Sequence, residues 1–121
     1  MIVMKFGGSC LTDGEQFIKD AELVKNYPDK DVIVVVSAVY KITDKLIDTG
    51  YLALEKKTEE VENNVKEIDE RHREIIRYIA EDKDDMAKLL KAKDEHIDEL
   101  KQIYKGVMLI NELTKRSIDV I

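Results

Sequence analysis

Cysteine, proline and tryptophan are almost missing from this chain: one Cys, one Pro and no Trp among 121 residues. The single thiol, Cys10, excludes an internal disulfide and fits a reducing compartment, so a cytoplasmic protein is expected. Two histidines, His72 and His96, lie far apart without zinc-ligand spacing. No apolar run approaches the roughly 20 residues that a membrane-spanning helix needs, and no signal-peptide pattern opens the sequence. Membrane partners are therefore not expected. Positive charge is in deficit. A net charge of −6 and a pI near 5 argue against nucleic acid as a main partner. Disorder is disfavoured too, because 44% of the residues are hydrophobic and can build a core. The length suits one domain at most, or part of one.

What is present begins with MIVMKFGGSC over residues 1–10. An apolar segment, Ile2 to Met4, runs into Lys5 and Phe6, then into Gly7, Gly8 and the hydroxyl of Ser9. The pattern is a strand that ends in a hollow of phosphate size. Glycine carries no Cβ, so backbone N–H groups can approach an anion closely. The Lys5 ammonium adds a point charge beside them. A glycine pair after a strand also serves as a plain tight turn, and the motif is neither G-x-x-x-x-G-K-[ST] nor G-x-G-x-x-G. Thr12 and Glu15 have capping-box spacing, with Asp13 and Gln16 as a shifted alternative. A helix is predicted from about Asp13 to Asn26, with Phe17, Ile18, Ala21 and Val24 on one face. Its positive end would point at the glycine turn. Cys10 reads either as a small residue packed in that turn or as a reactive thiol near a helix start.

A turn around Pro28 leads to Val32–Val36, a continuous β-branched run. Such a run predicts a strand buried on both faces, as in a parallel sheet. Strand, helix and strand make a βαβ unit with a right-handed crossover. Both strand exits then lie at one edge, where ligands bind in open α/β sheets. Lys5 to Ser9 and Ser37-Ala38 are expected to share one crevice. The second loop reads SAVYKITD, residues 37–44. Thr43 or a neighbour is predicted to cap a helix whose apolar residues are Leu46, Ile47, Tyr51 and Leu54. Ser37 and Thr43 also have plain roles, as loop and cap hydroxyls.

From about Glu55 to Lys105 the chain is highly charged and has neither Pro nor Gly. Val61, Val65, Ile68, His72, Ile75 and Ile79 recur in steps of three and four. Met86, Leu89, Leu90, Ile97, Leu100, Ile103 and Tyr104 continue the pattern after an acidic break at 81–85. Two long amphipathic helices packed as a hairpin are predicted, with His72 hydrogen-bonded in the apolar seam. Gly106 is expected to end or kink the second helix. An apolar segment follows and runs to Ile121, which suggests a chain cut inside a larger domain.

KFGGSC from Lys5, VIVVVSAVYKITDKLI from Val32 and GVMLINELTKRSIDVI from Gly106 together resemble the N-terminal part of aspartokinases, within the amino acid kinase family. The resemblance implies a partial three-layer α/β fold. A βαβα phosphate and substrate half-site would span 1–54, a helical hairpin 55–105 and a truncated helical segment 106–121. It implies ATP-dependent phosphorylation of the β-carboxylate of L-aspartate, with Mg2+, as the first step toward lysine, threonine and methionine. By position, Lys5 would be catalytic and contact the transferring phosphate, Gly7, Gly8 and Ser9 would line the phosphate path, and Ser37 and Thr43 would hold aspartate. Such transfer is mostly positioning and electrostatic stabilisation.

The chain departs from the family pattern at three places. Ser9 and Cys10 stand where threonine and serine are usual, and Tyr40 stands where a glycine is common. An S-F-G-E segment, the later catalytic aspartate and the nucleotide pocket would come after Ile121, so the 121 residues by themselves are expected to be inactive. A non-catalytic anion-binding or helical-hairpin interaction module is the alternative. Self-association is expected through the open sheet edge or the last helix.

Overall fold

A computed structural model describes residues 1–29 and 31–120, with side chains as far as Glu112. The order is β1 (Ile2–Phe6), a 3-10 turn (Gly8–Cys10), α1 (Gly14–Asn26), β2 (Val32–Val36), α2 (Ile42–Leu54), α3 (Thr58–Ile79) and α4 (Lys83–Val120). β1 and β2 pair in parallel, Ile2 opposite Val32 and Phe6 opposite Val36. The fold is thus α/β, with a small parallel βαβ sheet and a long helical hairpin.

The choice at the start of α1 falls to the shifted cap. The Asp13 carboxylate accepts from the Gln16 N–H at 2.9 Å, satisfying an amide that the helix leaves without a partner. The reversal between α2 and α3 takes three residues. Lys56 there adopts the left-handed conformation, φ 59°. The N–H of Lys56 donates to Ala53 and that of Lys57 to Leu52, the double closure that glycine usually provides at a helix end.

The core lies between α2, α3 and α4. Val61, Val65, Ile68 and Ile75 of α3 pack with Ile42 and Ala53 of α2 and Ile97 and Tyr104 of α4. The hairpin supplies most of the core's apolar surface, and its predicted α3 stripe is the one that is buried. His72 lies in the seam, half-buried, its Nδ1–H donating to the Ile68 carbonyl at 2.7 Å.

Several expectations are corrected. β2 is not buried on both faces: Ile33 to Val36 are all exposed, Val36 at 62%. On β1, Ile2 and Met4 are half-buried and Phe6 is buried, so one face is partly covered, while β2 beyond Val32 stays open. The α2 face is also different. Ile42, Thr49 and Ala53 turn inward, while Ile47, Tyr51 and Leu54 face out. Thr49 takes an inward place because its hydroxyl donates to the Lys45 carbonyl at 2.6 Å and accepts from Asn64 Nδ2 at 3.1 Å. On α1, Ile18 and Ala21 are exposed, and the buried residues are Gly14 and Asp20. α4 passes through Gly106 without ending. One glycine costs a helix only about 1 kcal/mol relative to alanine, and the packed stripe on either side offsets that. The apolar residues expected beyond 112 lie outside the described side chains.

Candidate functional site

The exits of β1 and β2 are tied together by backbone. The Ser37 N–H donates to the Phe6 carbonyl at 3.2 Å, and the Tyr40 N–H donates to the Leu11 carbonyl at 3.1 Å. The parallel register that puts Phe6 beside Val36 forces this meeting. The shared edge foreseen for Lys5–Ser9 and Ser37-Ala38 is therefore present in the backbone. Lys5, opposite Val35 and exposed, stands one residue before the end of β1.

The glycine turn is a single 3-10 turn. The Cys10 N–H closes on the Gly7 carbonyl at 2.9 Å and the Leu11 N–H on Gly8 at 3.0 Å. Gly7 is extended, φ −80° and ψ 179°, and no glycine of the chain has a positive φ. Neither Gly7 nor Gly8 is therefore demanded by backbone conformation. A Cβ at Gly7 would meet nothing within 4 Å, and one at Gly8 would reach only the Tyr40 ring, at 3.5 Å. The missing side chains leave the backbone of the turn uncovered on that side. Cys10 is half-buried and free of disulfide.

Thr43 lies in the first turn of α2, and its predicted capping role is corrected. Lys41 is the N-cap, with φ 67° and no capping side chain. The Lys41 ammonium sits over the Tyr40 ring, 5.5 Å from its centre, a cation–π contact. Asp44 lies in the first turn of α2, as expected.

Contacts far apart in sequence hold this edge against the hairpin. The Arg71 guanidinium of α3 donates to the Thr12 carbonyl at 2.7 Å. Gly14 lies so close to Tyr78 that a Cβ would come within 2.5 Å of the Tyr78 Cβ. Sequence reasoning missed both, since no periodicity links positions about sixty residues apart. It also missed Lys93, which fills the gap between Leu90 and Ile97 in the apolar stripe of α4. Lys93 is 8% exposed and pairs with Asp69 and Asp94. Burial pulls its ammonium down, but hydrogen bonds and charge from Asp69 and Asp94 outweigh this and hold it above the usual lysine value. Asp94 is held below the usual carboxylate range, first by its hydrogen bond from Lys93. Burial raises the Tyr104 hydroxyl, which donates to the Leu46 carbonyl at 2.8 Å.

Behind the exit of β2 is an apolar cavity of about 550 Å³, reached by Ser37 and lined by residues such as Phe17, Ile42, Ile75 and Ile97. Lys5 and the glycine turn do not line it. Among the described residues, no three His, Cys, Asp or Glu side chains are grouped to hold a metal ion. No described helix is long and apolar enough to cross a membrane.

Residues 1–116 match the model of the amino acid kinase family. The chain is similar to aspartokinase 3, chloroplastic, of Arabidopsis thaliana, at 38% identity over 97% of this chain and 20% of that protein. It is 34% identical to aspartokinase 1, chloroplastic, of the same plant, with the same coverage of each. A bifunctional aspartokinase/homoserine dehydrogenase, chloroplastic, of Daucus carota is 27% identical over 97% of this chain and 12% of that protein. The chain spans about a fifth of the length of the aspartokinases it matches. A family match over nearly the whole sequence, on a βαβ unit whose glycine turn and second loop meet at one sheet edge, means that the chain belongs to the amino acid kinase family.

Proposed function

We propose that this chain carries the phosphate-binding and acceptor-binding edge of an aspartate kinase, which transfers the γ-phosphoryl group of ATP to the β-carboxylate of L-aspartate. The observation that carries the reading is the glycine turn at Gly7 and Gly8, left uncovered by side chains, two residues after Lys5 and joined by backbone to the loop of Ser37. Aspartokinase relatives name the reaction class.

In this reading a carboxylate oxygen of aspartate attacks the γ-phosphorus. The bond from that phosphorus to the bridging oxygen breaks, and its electron pair leaves with ADP. The carboxylate is already ionised, so no proton moves. Lys5 offsets the negative charge that builds on the transferring group and the departing oxygen. The amides of Gly7, Gly8 and Ser9 hold phosphate oxygens where a Cβ would otherwise intrude. Ser37 and Thr43 hold and orient the acceptor from the second loop. Mg2+, which such transfer uses to neutralise phosphate charge, is assigned no residue here, since the described side chains form no metal cage. The chain by itself is inactive in this reading, and a cytoplasmic location belongs to the same proposal.

Calorimetric titration with ATP and with L-aspartate tests binding, and a coupled ADP assay tests turnover. The expected result is no turnover by the 121 residues, and ATP binding by the complete gene product that is lost in Lys5→Ala. Robust turnover by this chain would overturn its inactivity. ATP binding by the complete gene product that is unchanged in Lys5→Ala would overturn the phosphate site.

A further inference from the structure

The helical hairpin has no part in the proposed phosphoryl transfer, yet it carries a cleft of its own. The cleft measures about 520 Å³ and is lined by α3 and α4 alone, a size that suits a small organic molecule. No residue of the sheet, the glycine turn or the Ser37 loop borders it. Its floor is apolar: Val61 and Val65 of α3 meet Ile97 and Tyr104 of α4, all buried. Its rim is cationic. Lys66 of α3 and Lys101 and Lys105 of α4 stand around it, and all three are exposed. The described lysines in ion pairs are Lys19, Lys45, Lys57 and Lys93, so none of the three is among them. Lys101 does act through space on Asp94, after Lys93, whose hydrogen bond is the main cause of that carboxyl's lowered value. Two carboxylates share the cleft. Asp69 is already committed to Lys93 and Arg73. Glu62 lies one turn before Lys66 without forming an ion pair to it. Three ammoniums therefore face one uncommitted carboxylate, in a chain whose net charge is −6.

We infer that this cleft binds a small amphiphilic anion, with its apolar body on the floor of Val61, Val65 and Tyr104 and its anionic head among Lys66, Lys101 and Lys105. Lys101 and Lys105 lie one helical turn apart, where like charges repel and destabilise the helix. An anion between them removes that repulsion. A bare inorganic ion would leave the apolar floor wet, and a neutral apolar molecule would leave the rim unneutralised. An amphiphile satisfies both, because burial of its body and pairing of its head occur in one place. A further donor stands at the same cleft. The Thr58 hydroxyl donates only to the Met108 sulfur, at 3.6 Å, and a thioether is a weak acceptor. It can turn to a charged head group at little cost. The site is independent of the aspartate kinase reading, since the two share no residue.

The test is calorimetric titration of the complete gene product with octanoate, acetate and 1-octanol. Wild type is compared with Glu62→Gln and with the triple variant Lys66→Gln, Lys101→Gln, Lys105→Gln, each checked by a thermal melt. The substituted side chains are all exposed. Octanoate should bind about tenfold or more tighter than either acetate or 1-octanol, because only octanoate offers both an apolar body and a charge. The triple variant should lose about tenfold in octanoate affinity, since exposed ion pairs are weak singly and three act together here. Glu62→Gln should bind octanoate more tightly, because the one opposing charge is gone. Octanoate binding that is absent in the wild type, or unchanged in the triple variant, overturns the inference. Equal affinity for acetate or for 1-octanol also overturns it. Should the triple variant fail to fold, Glu62→Gln decides, and an affinity that does not rise overturns the inference. Aspartate phosphorylation in the coupled ADP assay is read separately, so failure of the cleft leaves the kinase reading intact and the reverse holds as well.

Discussion

The Ser37 N–H donates to the Phe6 carbonyl at 3.2 Å, so the two loops that leave the sheet start one hydrogen bond apart. The aspartate kinase reading of this chain depends on that junction. A phosphate held at the glycine turn and an acceptor held by the Ser37 loop can react only if the two strands end in register, and they do.

Gly7→Ala separates fold from ligand. The backbone there is extended and a Cβ meets nothing within 4 Å. Alanine at a compatible position stabilises by about 0.4–1 kcal/mol, because it restricts the unfolded chain. The melting temperature should therefore hold or rise while ATP affinity falls. A larger side chain, Gly7→Val, should weaken ATP binding further. Calorimetric titration beside a thermal melt reads both quantities.

Gly14→Ala should act in the opposite way. Its Cβ would come within 2.5 Å of the Tyr78 Cβ, and neither atom belongs to the free end of a side chain. α1 must move off α3, at a cost of about 1–3 kcal/mol. Denaturant unfolding should show the loss in the midpoint with the slope preserved.

The buried Lys93 sets a pH dependence. Its ammonium is held above the ordinary 10.5 and the Tyr104 hydroxyl above the ordinary 10.0. A raised folded-state value gives stability that is complete below the unfolded value and is lost as pH climbs through the folded one. Both groups therefore predict falling stability from about pH 10 upward. Asp94 is held below the ordinary 3.8. Its contribution is present above that value and is lost as pH falls through the lowered one. Urea unfolding across pH should show the alkaline loss reduced in Lys93→Met. Removing Asp69 alone, by Asp69→Asn, should cost about 2–3 kcal/mol by leaving Lys93 buried with a weaker partner. That is less than the 3–5 kcal/mol of a fully buried pair, because Asp69 keeps some exposure.

Self-association is expected through the sheet. Val3 and the residues Ile33 to Val36 are exposed, and a two-stranded sheet leaves unpaired edges that can recruit another strand. Light scattering over a concentration series should show a mass that grows with concentration and resists salt, since apolar contacts survive screening. Val34→Lys with Val36→Lys should return a monomer. A wild-type monomer at high concentration would contradict this expectation.

Local patterns in the sequence were sufficient for some elements. The β-branched run at Val32–Val36, the glycine turn after Phe6 and the three-and-four spacing of α3 each carry their own period or turn chemistry. Those signals gave the βαβ unit, the hairpin, the seam position of His72 and the common edge of the two loops. They depend on neighbours within a few residues, which is where periodicity and capping act. Tertiary structure decided what those patterns could not contain. Whether β2 is covered depends on which elements pack on it, so its apolar run gave the strand and missed the exposure. Thr49 could face inward only once Asn64 arrived to share its hydroxyl. Lys93 could enter the apolar stripe only because Asp69, on the other arm of the hairpin, compensates its charge. Tyr40 became a bridge to Gly8 only when parallel register brought two loops together. Burial of a polar group requires a partner, and the partner's place is fixed by the fold and not by the chain's local spacing.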